Sequence, residues 1–263
     1  MLRFAGNVEI AASVAGVRNE GDSLEARPLH YRDRDTALTG VLYRDEARAG
    51  SRPGILLVHG GAGLDEHARD QARRYAELGY VVLACDMYGE GVAGDRERVM
   101  ACVAALRDDP AFLVRRGRAA LTALSRCPEV GPELAAVGFC FGGMAALTMA
   151  REGVDLAGAV SIHGTLTART PAQPGAVTAR VLVCHGASDP HVPADQVAAF
   201  TEEMNNADAD WQLVMYGRAL HGFTHKHAVP GTVPGVAYDP AADELSFAAT
   251  RDFLARVFAR SSA

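Results

Sequence analysis

Apolar residues along this chain fall into short continuous runs, and between the runs the spacing lengthens to that of helices. Ile55-Leu56-Leu57-Val58-His59, Val81-Val82-Leu83-Ala84-Cys85, the run from Ala135 to Phe139, Leu156 to His163, Arg180 to His185 and Trp211 to Tyr216 read as strands. Their lack of polar alternation is what strands need when helices cover both faces of a parallel sheet. Helices are predicted over about 66–78, 95–107, 111–126, 142–151, 193–205 and 243–259, with Gly79 stopping the first and Pro193 starting the fifth. Alternating strands and helices specify a three-layer α/β fold, a mostly parallel central sheet with helices on both faces and right-handed crossovers. Leu29 to Tyr31 and Leu38 to Tyr43 flank the polar stretch Arg32-Asp33-Arg34-Asp35 and predict a β-hairpin at one sheet edge. Residues 1–27 carry no clear period and are expected to form a loose arm; 28–263 are read as one domain, with no linker-like stretch inside it.

Composition narrows the possibilities. With 263 residues, 49% of them hydrophobic, the chain can build a large core. A net charge of −6 without a basic stripe argues against nucleic acid. No apolar run approaches the roughly 20 residues of a membrane span. The alanine-rich stretch from Ala5 to Val17 is interrupted by Asn7 and Glu9 and does not read as a signal peptide. Five cysteines, an odd number without metal-type spacing, imply reduced thiols and a cytoplasmic protein. A monomer or homodimer acting on a small molecule, without cofactor or metal, is expected.

The candidate chemistry centres on Val137-Gly138-Phe139-Cys140-Phe141-Gly142-Gly143, which reads as strand, sharp turn and helix. Glycines two before and two after Cys140 suit a tight elbow, because a β-carbon there would collide with the crowded backbone. The following helix would aim its N-terminal N–H groups at the thiol and lower its pKa, and the N–H of Phe141 is a ready oxyanion donor. A buried structural cysteine beside a glycine turn would leave the same pattern, so the partners decide. Asp189 follows the strand that ends at His185, and His221 follows the strand that ends at Tyr216. Cys140, Asp189 and His221 therefore stand beyond strand ends in the nucleophile, acid, base order of α/β-hydrolases.

With these residues placed, the chain from about Leu29 onward resembles the dienelactone hydrolase family of cysteine-dependent α/β-hydrolases. The resemblance rests on Arg69-Asp70 with Ala76-Glu77-Leu78-Gly79-Tyr80, on Asp86-Met87-Tyr88-Gly89 and on Gly138-Phe139-Cys140-Phe141-Gly142-Gly143. It continues through His185-Gly186 with Asp189-Pro190, His221-Gly222-Phe223-Thr224 and Gly235-Val236-Ala237-Tyr238. It implies hydrolysis of a small ester or lactone through a covalent thioester: Cys140 attacks, His221 moves the proton, and Asp189 fixes the imidazole tautomer. By position, the N–H of Gly61 joins that of Phe141 in the oxyanion hole.

Two departures stand out. Family members usually carry glutamate directly after the residue matching His59, where it acts on the resting cysteine; here Gly60 takes that place. Founding members hold a substrate carboxylate with two arginines, around whose places this chain has Glu90 and His225, so a neutral or differently charged substrate is expected. Gly60, Tyr88, His163 and His225 are the expected substrate contacts, although His59, His163 and His185 are read first as hydrogen-bonded structural residues. His221, His225 and His227 lack the regular spacing of a metal site. A non-hydrolytic cyclase or rearrangement enzyme on the same fold, or a silent binding protein, are the alternative functions.

Overall fold

A computed structural model of the protein describes residues 23–261. Eight strands form one sheet: β1 (Leu24–Asp33), β2 (Thr36–Asp45), β3 (Arg52–Val58), β4 (Val81–Cys85), β5 (Val130–Phe139), β6 (Gly158–Ile162), β7 (Arg180–Gly186) and β8 (Trp211–Tyr216). Their spatial order is β1-β2-β4-β3-β5-β6-β7-β8. β2 pairs antiparallel with both β1 and β4, and every pairing from β4 to β8 is parallel. The expected edge hairpin is β1–β2, turning at Arg34-Asp35 with Arg34 in the left-handed region. Leu24 to Arg27, placed by the sequence pattern in a loose arm, are strand residues paired with Asp45 to Leu42. Hydrogen-bonded pairing overrides the weak local period there. The rest of that arm, residues 1–22, lies outside the described residues.

Among the described residues, six helices fill the two layers: α1 (Glu66–Glu77), α2 (Arg96–Asp108), α3 (Pro110–Ser125), α4 (Phe141–Arg151), α5 (Ala194–Asn206) and α6 (Pro240–Ser261). Buried residues of β3 divide by the two-residue period of a strand. Leu56 and Val58 join the core built with α2 to α5, and Ile55 and Leu57 join the core built with α1 and α6. Continuous apolar runs therefore mark a sheet covered on both faces. Among the described residues, no helix is long and apolar enough to cross a membrane.

Strand order positions the site. β3 and β5 are neighbours in register Val58↔Gly138, so the turn after β3 lies beside the elbow after β5. The turn after β4 is held by a buried charge cluster. Asp33, at the hairpin turn, accepts from Arg116 Nε and Arg115 Nε, both at 2.8 Å, and Arg116 Nη1 donates to the Met87 carbonyl at 2.8 Å. Desolvation of Asp33 would raise its pKa, but the two guanidinium groups bring it below the ordinary carboxylate value. Removing one partner of a buried pair strands the other charge, so Asp33→Ala should cost about 3–5 kcal/mol. Arg115 is 38% exposed, and Arg115→Ala should cost less than about 1 kcal/mol. Urea denaturation checks both values; equal losses would contradict this division.

Candidate active site

The elbow is strained at one residue. Cys140 is the N-cap of α4 with φ 54° and ψ −114°, a conformation that costs a non-glycine residue on the order of 1–3 kcal/mol. Crowded glycines make the turn possible: a β-carbon on Gly138 would lie 1.9 Å from the Gly142 oxygen, and one on Gly142 would lie 2.1 Å from the Val58 oxygen. The Cys140 N–H donates to the Ile162 carbonyl of β6 at 3.0 Å, which fixes the apex across the sheet. Its side chain remains partly exposed.

Around the thiol, the structure brings together the residues expected from chain order. His221 Nε2 lies 3.1 Å from Cys140 Sγ, and His221 Nδ1 lies 2.8 Å from Asp189 Oδ2. Asp189 is held in turn by the His191 N–H on its other oxygen at 2.8 Å. Burial alone would raise the Cys140 pKa and lower that of His221. Hydrogen bonding and opposite charge outweigh it, and His221 is pushed up to about 10. The Cys140 thiol falls below its ordinary value, helped by the backbone N–H groups of Phe141 and Gly61 near the sulfur. By contrast, burial pushes the Cys184 thiol up to about 11. Both shifts favour thiolate on Cys140 together with imidazolium on His221.

Gly61 owes its aim to two neighbours that the sequence pattern does not reveal. Met87 N–H donates to His59 Nε2 at 3.2 Å, so the proton of that buried neutral ring sits on Nδ1 and donates to the Gly60 carbonyl at 2.7 Å. The Gly60 carbonyl and the Gly61 N–H belong to one planar trans peptide and point in opposite directions. Holding the carbonyl therefore holds the donor toward the sulfur. Tyr88, expected to contact substrate, is 5% exposed and donates its hydroxyl to the Gly61 carbonyl at 3.0 Å. It fixes the same turn.

His163 takes the hydrogen-bonded structural part read first for it and not that of a substrate contact. It is fully buried, has a left-handed φ of 40°, and bonds through Nε2 to Thr224 Oγ1 at 2.8 Å; the same hydroxyl meets His67 Nε2 at 2.9 Å. Thr224 has one proton to give, so it donates to one ring and accepts from the other. Burial keeps His67 neutral, with a pKa of about 3, and holds His163 well below the ordinary imidazole value. His225 is half-buried, stacks on His67 at 3.7 Å between ring centroids, and brings Cε1 to 3.9 Å from where a Gly60 β-carbon would stand. It borders the space beside Cys140. Glu90 is exposed and accepts from Thr39 Oγ1 at 3.0 Å. Among the described residues, no group of three or more His, Cys, Asp or Glu side chains is arranged to hold a metal ion.

Comparison with known proteins agrees with this architecture. Residues 38–258 match the model of the dienelactone hydrolase family. The solved structure of m3DLH is 39% identical with a TM-score of 0.84, and the match covers 89% of this chain and 99% of that one. A dienelactone hydrolase-like promiscuous phosphotriesterase from metagenomic libraries is 37% identical with a TM-score of 0.85 over the same shares. An uncharacterized Caenorhabditis elegans protein is 37% identical over 147 residues, 55% of this chain and 93% of that protein. With this fold and a family match that spans most of its length, the chain belongs to the dienelactone hydrolase family and is a hydrolase.

Proposed function

We propose that the protein hydrolyses small neutral carboxylic esters and lactones through Cys140, His221 and Asp189. The observation that carries this reading is the chain of contacts from Cys140 Sγ to His221 Nε2, at 3.1 Å, and from His221 Nδ1 to Asp189 Oδ2, at 2.8 Å, with the backbone N–H groups of Phe141 and Gly61 near the sulfur. Thiolate sulfur attacks the acyl carbon, and the carbonyl oxygen takes the negative charge under those two N–H groups. His221 then gives its Nε2 proton to the leaving alkoxide as the C–O bond breaks, which leaves a thioester and a neutral imidazole. Water loses a proton to His221 as it adds to the thioester. Collapse expels the thiolate, releases the acid and restores the ion pair. Asp189, accepting from Nδ1, keeps the imidazole in the tautomer both proton transfers need.

Gly60 fits a site that is active without help from a substrate carboxylate. A β-carbon there would lie 3.7 Å from the Phe139 oxygen and 3.8 Å from Cys140 Cβ, ordinary contact distances, so a side chain would fit, and with glycine no carboxylate competes with the thiolate for the His221 proton. A second substrate class, neutral phosphotriesters, is favoured by the likeness to the promiscuous phosphotriesterase, because the same two N–H groups can receive a phosphoryl oxygen.

A chromogenic acetate ester tests the nucleophile. Wild type should show a burst followed by turnover, Cys140→Ala neither, and Cys140→Ser a rate lower by at least about 100-fold, since His221 must then deprotonate a hydroxyl. Acylation without release of acid would instead support the ring-forming alternative. The pH profile of kcat/KM tests the ion pair. Thiolate exists above the lowered Cys140 pKa and imidazolium below the raised His221 pKa. The acid limb should therefore lie under the ordinary thiol value of about 8.5. The alkaline limb should fall near pH 10. One acid limb near an ordinary imidazole value with no alkaline fall would contradict the pair. Gly60→Glu puts like charge beside the sulfur and should move the acid limb up by about one unit or more; an unchanged limb would show that the side chain does not reach Cys140.

A further inference from the structure

We infer that the gap beside Gly60 seats the hydrolytic water of this enzyme, with the His225 imidazole as an anchor; this rests on the hydrolysis proposed for Cys140. A β-carbon built on Gly60 would stand 3.9 Å from His225 Cε1 and 3.8 Å from Cys140 Cβ, so one methyl-sized volume touches both residues. A water molecule is smaller than a methyl group and fits it. A β-carbon built on Gly222, the residue after His221, would stand 3.4 Å from His225 Cδ2. Nε2 is bonded to both of those ring carbons. The ring edge that carries it therefore faces Gly60 at one end and Gly222 at the other.

The ring is held, and its nitrogens are free. The His225 N–H donates to the Gly222 carbonyl at 2.9 Å, the His225 carbonyl accepts from the Ala228 N–H at 2.9 Å, and the ring face stacks on His67. His67 and His163 both use Nε2 on Thr224. Among the described residues, no protein group hydrogen-bonds to the His225 ring. Burial, aided by the charge of His221, outweighs the pull of Asp65 and Asp243 and holds the ring below the ordinary imidazole pKa. A neutral imidazole carries one nitrogen that accepts.

Deacylation is the step that needs such a seat. In acylation the nucleophile is part of the elbow, whereas the hydrolytic water must be caught and oriented before it can react. Once the alkoxide has left, His221 is neutral and its Nε2 takes one water proton, which fixes a single O–H direction. His225 Nε2 accepts the other hydrogen, and the oxygen lone pair is turned to the thioester carbon. The C–O bond forms as the first proton passes to His221; the hydrogen bonded to His225 stays on oxygen and leaves with the acid. Loss of the His221 proton also removes the positive charge that weakens His225 as an acceptor. The anchor is therefore strongest at the stage that uses it.

Stopped-flow kinetics with p-nitrophenyl acetate separate the two steps, the burst reporting acylation and the steady rate deacylation. Two variants act on the seat from opposite sides: His225→Leu removes the anchor, and Gly60→Ala fills the gap with a methyl group that meets its neighbours at ordinary contact distances. Each should lower the steady rate on the order of 10- to 100-fold while the burst rate changes less than about threefold. Intact mass should show the acetyl thioester accumulating on Cys140. His225→Gln, which keeps an acceptor, should recover part of the loss. Hydroxylamine attacks a thioester without a base and should deacylate His225→Leu as fast as wild type. Melting temperatures establish that the variants fold. A steady rate unchanged in either variant, a burst slowed as much as the steady rate, or a His225→Leu thioester resistant to hydroxylamine overturns the water seat and leaves the hydrolysis reading intact. A wild type without a burst, or with a burst and no turnover, overturns the hydrolysis reading and the seat with it.

Discussion

A chain that reverses from strand to helix within one residue has no room for side chains beside the turn, and the geometry around Cys140 follows from that constraint. Gly138 and Gly142 let the backbone fold onto itself and onto the end of β3, while the strained backbone of Cys140 presents its sulfur above the sheet. Because β3 is the neighbour of β5, the same close approach brings Gly61 to the sulfur. Two N–H donors, one from each strand end, thus arise from a single packing event. Sheet burial supplies the rigidity. β3 and β5 lie inside the sheet with helices on both faces, and a shift of either would require the whole α4 interface to move.

The electrostatics are built on that frame by exclusion as much as by attraction. Of the imidazoles of His67, His163, His221 and His225, only that of His221 has a raised pKa. Burial suppresses protonation of His67, His163 and His225, and the positive charge on His221 disfavours it further at His163 and His225. One cation is therefore kept where Asp189 and Cys140 can both use it. His59 and Tyr88 perform a mechanical task beside it by holding the carbonyls of Gly60 and Gly61. A hydrogen bond to the carbonyl of a peptide also polarises its N–H, which makes Gly61 a stronger donor to developing charge.

Much of this was legible in the chain, and the parts that were not share a cause. The β-strand runs, the edge hairpin, the elbow and the order Cys140, Asp189, His221 are written in local patterns, because each depends on neighbours in sequence. Tyr88 was expected to meet substrate and His163 was open to either part, since both follow strand ends, and strand-end position says nothing of which way a ring turns. Tyr88 turns inward to Gly61, and His163 turns to Thr224. Their partners lie 27 and 61 residues away. The Asp33 cluster escaped for the same reason: a polar hairpin turn looks solvated until α3 brings Arg116 onto it. Leu24 to Arg27 gained their structure from β2.

We propose that Cys140 rests as a thiolate paired with imidazolium, without a glutamate to hold it in check. Ultraviolet titration of the thiolate, taken as the difference between wild type and Cys140→Ser, reads that state directly. A thiolate already formed at neutral pH, with a midpoint well under the free-thiol value of about 8.5, is the expected result. A midpoint at or above that value would mean that the resting cysteine is protonated and that substrate must activate it.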